Sequence, residues 1–342
     1  MADGSRVGRR REGDLRLVGG GAATVTSSSQ VPNSRSTTEV PPYSRDHARS
    51  GALRLGWPVD RLESSAVTST GSFLARAVAD ARSDAERRAE LLPLDALRTA
   101  AAGLPEARGL EAAVRRGPHG PRVIAEVKRR SPSKGDIRID LDPAALATAY
   151  AAGGASAVSV LTEPRHFAGS PGDLLAVRSA VDLPVLRKDF VTTPYQVWEA
   201  RAWGADAVLL IVAALGWAGQ PALRDLLEVT AEAGLDALVE VHTLAEAEAA
   251  AAAGASLVGV NARDLATLEV DPGRFAEVRQ ALPAGTVLVA ESGIRDRADV
   301  EAAAGAGADA VLVGETLVRA HDPAAAVRDL LAVPTRTGGA HG

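Results

Sequence analysis

Val123-Ile124-Ala125-Glu126-Val127-Lys128-Arg129-Arg130-Ser131-Pro132-Ser133-Lys134-Gly135 sets an acid and an ammonium group two residues apart at the end of an apolar run. In a strand, residues i and i+2 share a face, so Glu126 and Lys128 stand together inside whatever that strand lines. A solvated edge strand would present the same pair harmlessly. Recurrence argues against that reading. Polar or charged residues close apolar runs again at Arg187-Lys188-Asp189, Glu240-Val241-His242, Asn261-Ala262-Arg263 and Glu291-Ser292-Gly293.

Outward from this stretch, apolar runs of strand length fall at 123–127, 157–161, 184–187, 207–212, 237–241, 257–260, 287–290 and 310–313. Between them lie Ala-, Leu- and Glu-rich segments such as Pro143 to Ala152, Tyr195 to Trp203, Ala222 to Ala233 and Leu244 to Ala253. Several end in Gly, as a helix C-cap does. Strand alternating with helix implies parallel strands. Eight such units fit the roughly 250 residues of a closed barrel better than an open doubly wound sheet. The predicted fold is therefore α/β, a (β/α)8 TIM barrel. Extra N-terminal helices precede its first strand: Phe73, Leu74, Ala77, Val78 and Ala81 recur at helical spacing, and Pro93-Leu94-Asp95-Ala96-Leu97 opens a second amphipathic stretch. Active sites of such barrels sit at the C-terminal ends of the strands, where the polar endings would converge. The same rule places a phosphate at the loops after strands 7 and 8. Here they read Glu291-Ser292-Gly293-Ile294 and Gly314-Glu315-Thr316, with small residues that let backbone N–H groups approach an anion.

Composition bounds the function. The apolar fraction of 46% and charged fraction of 24% are those of a globular chain with a sizeable core. A net charge of -5 with interspersed signs offers no basic field for nucleic acid and no polybasic segment for a membrane surface. The chain has no cysteine, which removes disulfides, thiolate nucleophiles and Cys-based metal sites together. A cytoplasmic location fits. No apolar stretch approaches the roughly 20 residues of a membrane span. Residues 1–70, rich in Ser, Thr, Arg, Gly and Pro without a sustained period, are expected to be a disordered extension. The barrel is expected over 71–335, and 336–342 form a polar tail. Arg9-Arg10-Arg11 is a poor twin-arginine signal, because Asp14 and Arg16 interrupt the segment after it and Gly19 to Ala23 is too short and Gly-rich for an apolar region. Gly19-Gly20-Gly21 has neither Walker nor dinucleotide spacing. Met1 is the only methionine, so initiation near Val67 at a non-Met codon is an alternative that N-terminal sequencing of the native protein would decide.

Taken in order, the strand-end motifs resemble those of the indole-3-glycerol phosphate synthase family of tryptophan biosynthesis over roughly residues 72 to 335. The motifs are Ile124-Ala125-Glu126-Val127-Lys128 with Ser131-Pro132-Ser133, Ser159-Val160-Leu161-Thr162-Glu163 with Phe167 and Gly169-Ser170, and Leu186-Arg187-Lys188-Asp189-Phe190. They continue through Leu209-Leu210-Ile211-Val212, Leu238-Val239-Glu240-Val241-His242, Gly259-Val260-Asn261-Ala262-Arg263-Asp264-Leu265, Ala290-Glu291-Ser292-Gly293-Ile294 and Val313-Gly314. Each is weak alone, and their order makes the set specific. The resemblance implies conversion of 1-(2-carboxyphenylamino)-1-deoxyribulose 5-phosphate into indole-3-glycerol phosphate, carbon dioxide and water, without metal or cofactor. The substrate is a phosphorylated small molecule, and the protein is expected to be a monomer or weak homo-oligomer.

The resemblance also implies roles. Lys188 is the acid that protonates the ribulose carbonyl oxygen as the ring closes, since an ammonium group both donates a proton and stabilises oxyanion charge. Glu240 is the matching base. Lys128 pairs with the substrate carboxylate and assists the later dehydration, and the planar fork of Arg263 positions the carboxylate that departs. Glu126, Asn261 and Glu291 orient the two lysines and meet substrate hydroxyls. Ser131, Ser292, Gly293 and Gly314 resemble the phosphate cradle, while Phe167, Phe190 and Leu209 line the aromatic side. Ala262 stands where a second Asn is common, and Glu315 where some members carry Ser, so Glu315 is expected to point away from phosphate.

Bland readings stand beside these. A lone Lys or Glu at a strand end reads more readily as a structural ion pair, Asn261 and Glu126 could cap loops, and Phe190 and Leu209 could be core. Alternation would put His242 on the face of Glu240 as a proton shuttle, but it lies where the strand should end, so its direction is not fixed. A phosphoribosylanthranilate isomerase would share the barrel and phosphate site, yet its chemistry suits a Cys and Asp pair that this chain cannot supply. A nicotinamide-dependent oxidoreductase needs a Gly-rich turn after the first strand, where Lys-Arg-Arg-Ser-Pro-Ser stands instead. An interaction protein acting through the long extension would be told apart by deleting residues 1 to 66, which turnover by the barrel should survive.

Overall fold

The computed structural model describes residues 72–117, 120–216, 219–264, 269–271 and 273–332. The chain divides into units 1–64 and 65–342, and every described residue belongs to the second. The extension over 1–70 and the polar tail over 336–342 lie outside the described residues.

Eight strands close a parallel barrel: β1 (Arg122–Val127), β2 (Ala157–Leu161), β3 (Val185–Lys188), β4 (Ala207–Ile211), β5 (Asp236–Val241), β6 (Leu257–Asn261), β7 (Val287–Glu291) and β8 (Ala310–Val313). Each pairs with its sequence neighbours, and β1 closes on β8 with Ile124 opposite Leu312. The predicted runs agree with these strands to within a residue or two at each end. Helices α1 (Phe73–Leu91), α2 (Leu94–Ala102) and α3 (Leu110–Val114) precede β1. After it come α4 (Pro143–Gly153), α5 (Pro164–Phe167), α6 (Pro171–Ala180), α7 (Pro194–Ala202), α8 (Gly219–Glu232), α9 (Leu244–Ala253), α10 (Arg274–Arg279), α11 (Arg297–Gly305), α12 (Glu315–Arg319) and α13 (Pro323–Leu331). Five of these helices start alike, with a capping oxygen followed by proline: Asp142-Pro143, Glu163-Pro164, Ser170-Pro171, Thr193-Pro194 and Asp322-Pro323. The side chain satisfies an orphan N–H of the first turn, and proline fixes φ where no N–H is needed.

Strand alternation builds two cores. Val123, Ala125 and Val127 of β1, Val158 and Val160 of β2, and Val239 and Val241 of β5 face the helix layer. Ile124, Leu186, Leu209, Leu238, Val289 and Leu312 fill the barrel interior. The interior is thus packed mainly with apolar side chains, and charged residues gather where the strands end at the C-terminal rim. Two N-terminal helices seal it: Leu74, Ala77, Val78 and Ala81 of α1, and Leu110 and Val114 of α3, join the interior cluster.

The floor is held by carboxylates that precede or open strands. Asp206, fully buried, accepts from Arg108 N at 2.7 Å, Val185 N at 2.8 Å and Arg178 Nη1 at 2.6 Å. Asp236 accepts from Glu111 N at 2.8 Å, and Asp309 from Arg116 N at 3.1 Å and Leu288 N at 2.9 Å. The segment entering the barrel is tied to three strand starts through its own backbone.

Candidate active site

A cavity of about 840 Å³ opens at the C-terminal rim. It is lined by every residue proposed above for catalysis or binding: Glu126, Lys128, Ser131, Phe167, Lys188, Phe190, Leu209, Glu240, Asn261, Arg263, Glu291, Ser292, Gly293 and Gly314. Strand register explains the gathering. Glu126, Lys188, Glu240, Asn261 and Glu291 occupy the last inward positions of β1, β3, β5, β6 and β7, each directly above an apolar or glycine residue two positions earlier.

Two lysines anchor the charge. Lys128 Nζ lies 2.5 Å from Glu126 Oε1. Lys188 Nζ lies 3.2 Å from Glu240 Oε2 and 3.3 Å from Glu291 Oε2. Burial disfavours the Lys188 ammonium, but Glu240, Glu291 and Glu126 outweigh it and hold its pKa above the usual lysine range. The two carboxylates divide in opposite directions. Burial would raise Glu240, yet Lys188, His242 and Asn261 keep it well below the ordinary carboxylate range. For Glu291, burial wins over Lys188 and, with the charges of Glu240 and Glu126, pushes the carboxyl up to about 8. Glu291 Oε1 is buried without a hydrogen-bond partner among the described residues, as suits a carboxyl that is not fully ionised.

Asn261 was expected to help orient the lysines and to meet substrate hydroxyls; in the structure it reaches Lys188 only through Glu240. Its Nδ2 donates to Glu240 Oε1 at 3.1 Å, and its Oδ1 accepts from Ser292 Oγ at 2.8 Å and Arg263 N at 3.0 Å. The side chain therefore links the base candidate on β5 to the loops after β6 and β7. Small residues make the room. A Cβ on Gly259 would strike Glu291 Oε1, and one on Gly314 would strike Glu126 Oε1 and approach Lys128 Nζ to 2.9 Å. Ser292 holds φ 66 and Gly293 φ 80, a left-handed pair after β7; the serine makes the turn a strained one.

The apolar wall is also set by local chemistry. Glu163 caps α5, accepting from the backbone N of Arg165, His166 and Phe167, which fixes Phe167 6.3 Å from Phe190. Phe73, at the start of α1, packs edge-on to Phe190 at 6.3 Å and lines the same cavity. Its helical spacing marked it only as part of an apolar face. Lys134, in the Ser-Pro-Ser-Lys loop, is a second lining residue that the sequence motifs did not single out; a cation beside serines after the first strand was the available signal. Glu315 lines the cavity too, with its Oε1 accepting from Arg319 Nε at 3.1 Å within α12.

Charge of this kind, concentrated at one end of a closed parallel barrel and walled on one side by aromatic rings, belongs to a (β/α)8 enzyme doing acid–base chemistry on a small anionic molecule. The chain matches the family model described as indole-3-glycerol phosphate synthase over residues 74–330, and it belongs to that family. Relatives bearing that name include one from Mycobacterium avium, 55% identical over 254 residues, 74% of this chain and 92% of the relative. The relative from Mycolicibacterium smegmatis is 53% identical over 267 residues, 78% of this chain and 96% of its own. The relative from Rhodococcus jostii is 56% identical over 250 residues, 73% and 91% respectively. The activity is that of a carboxy-lyase of tryptophan biosynthesis acting on a phosphorylated small molecule. Among the described residues no helix is long and apolar enough to cross a membrane.

Proposed function

We propose that Lys188 and Glu240 are the acid and base of the decarboxylating, dehydrating ring closure of 1-(2-carboxyphenylamino)-1-deoxyribulose 5-phosphate to indole-3-glycerol phosphate. The observation that carries the assignment is Lys188 Nζ set between Glu240 at 3.2 Å and Glu291 at 3.3 Å. Attack of the anthranilate ring carbon on the ribulose carbonyl puts negative charge on that oxygen. An ammonium held protonated by surrounding carboxylates donates to it as charge develops. Loss of carbon dioxide returns the ring electrons, and the hydroxyl then leaves as water with a proton from Lys128. Glu240, ionised and fixed by Asn261, takes up the proton shed from the substrate in that dehydration.

The remaining residues position the substrate. Arg263 takes the carboxylate that departs, and Lys128, held by Glu126, pairs with it too. Glu291 fixes Lys188. Ser131, Ser292, Gly293 and Gly314 receive the phosphate, and Glu315 is kept off it by Arg319. Phe167, Phe190 and Leu209 sandwich the aromatic ring. We further place the barrel at 71–335 between an extension over 1–70 and a tail over 336–342, and the protein in the cytoplasm as a monomer or weak homo-oligomer.

The test is indole fluorescence on adding substrate to the full chain beside Lys188→Ala and Glu240→Gln. Each substitution is expected to lower kcat by about 10²–10⁴, the usual contribution of a positioned acid or base. Unchanged turnover in both would overturn the mechanism while leaving the family intact.

A further inference from the structure

His242 lies behind Glu240 rather than on the cavity wall, and it is buried. Strand β5 ends at Val241, and the residue after it brings its imidazole against the Glu240 side chain. Its Nε2 stands 3.2 Å from Glu240 Oε1. The approach is off line for a hydrogen bond, and Nε2 has no hydrogen-bond partner among the described residues. On the other side of the ring Nδ1 stands 3.2 Å from Glu246 Oε2, the same oxygen that accepts the backbone N–H of His242 at 2.7 Å. Glu246 is held in turn, its own N donating to the N-cap Thr243 Oγ1 at 3.2 Å. The result is a row of carboxylate, imidazole and carboxylate, running from α9 to the Glu240 of the cavity.

Building on the assignment of Glu240 as base, we propose that His242, oriented by Glu246, is a positioning residue that acts through Glu240 as an imidazolium, keeping its carboxylate ionised and aimed at the substrate. The ring geometry requires that protonation state. A neutral imidazole carries one N–H, so one of the two carboxylate oxygens 3.2 Å away would face a lone pair; the doubly protonated ring instead sets a positive N–H beside each, as a charge contact with Glu240 and a donor to Glu246. The charged groups bearing on the ring are Glu240 of β5 and Glu246 of α9, with Lys188 of β3 on the far side of Glu240. Burial opposes the cation, and the two carboxylates outweigh it, carrying the imidazole up to about 9. Removing the cation leaves Glu240 with Lys188 as its one charged partner, and Lys188 must give up its proton to the substrate oxygen during turnover.

The full chain labelled with 15N-histidine decides the matter beside His242→Gln, Glu246→Gln and Glu240→Gln. The His242 ring signal, identified by its loss in His242→Gln, is expected to be doubly protonated at pH 7.5 and to titrate at lower pH in Glu246→Gln. In steady-state assays at pH 7.5, His242→Gln is expected to lose about tenfold in kcat, a part of what the positioned base supplies, with KM within about twofold. Glu246→Gln should lose about threefold by the same route. A ring that is neutral at pH 7.5 in the wild type would overturn the proposal even if His242→Gln failed to fold. So would an unchanged kcat in His242→Gln or Glu246→Gln while Glu240→Gln is inactive, which leaves Glu240 as base. A fully active Glu240→Gln would overturn the base assignment and this proposal together.

Discussion

The ammonium of Lys188 keeps its proton because carboxylates converge on it, and burial, together with that convergence, leaves Glu291 unable to ionise at the ordinary carboxylate pH. That has a measurable effect on stability. Glu291 is raised from 4.5 to about 8, and His242 from 6.5 to about 9. In both cases the folded state holds a proton that the unfolded chain has released, so stability falls as pH climbs through each window. Glu240 is shifted the other way; its contribution is already complete above the unfolded value of about 4.5 and adds no slope here. The melting temperature of the protein without substrate should therefore decline from pH 6.5 to pH 9. Glu291→Gln, which keeps the shape and removes the titration, should flatten the part below about 8. Calorimetry at four or five pH values checks it, and a melting temperature level or rising across that interval would refute the assigned protonation states.

Elements position these residues through features of unequal visibility in sequence. The strands and the rim were legible because a parallel strand buried on both faces is a continuous apolar run, and the polar residue that interrupts it marks where the strand meets solvent. Glu126, Lys188, Glu240, Asn261 and Glu291 announced themselves in that way. The two-residue ribbon pairing Arg130–Ser131 with Gly135–Asp136 did not, since it is too short to show a period. His242 was ambiguous because alternation says nothing about direction once a strand has ended. The floor carboxylates were invisible, an Asp before a strand being ordinary turn chemistry. Asp206 turns that hidden feature into a prediction. It satisfies two backbone N–H groups and Arg178 while fully buried, so Asp206→Ala leaves those donors and a cation without an acceptor. The expected loss is about 3 kcal/mol, read by denaturant unfolding, with kcat of the folded fraction unchanged because the floor lies at the opposite end of the barrel from the cavity. Gly314→Ala should do the reverse. Its Cβ would fall on Glu126 and Lys128, so kcat/KM should drop by tenfold or more, on the order expected when a charged pair is displaced from its working geometry, in a protein of near wild-type stability.

At the scale of the molecule, the family match begins at residue 74 and the described helices at Phe73. Helix α1 reaches the site. Phe73 forms part of the aromatic wall, Arg82 Nε donates to Thr192 Oγ1 at 3.0 Å beyond β3, and Arg88 pairs with the buried Glu199 of α7. Glu199 in turn lies 3.2 Å from Arg187, the neighbour of Lys188 on β3. Removing residues 1–66 should therefore leave kcat and KM within about twofold, because none of those contacts is lost. Removing residues 1–92 should cost far more: it strips Leu74, Ala77, Val78 and Ala81 from the interior cluster, at about 1 kcal/mol or more for each apolar side chain uncovered, and leaves Glu199 and Arg187 to rearrange beneath Lys188. Steady-state assays of the two truncations separate the alternatives. A shorter truncation that loses turnover would mean that the extension acts in catalysis, and a longer one that keeps it would mean that α1 is dispensable to the site it covers.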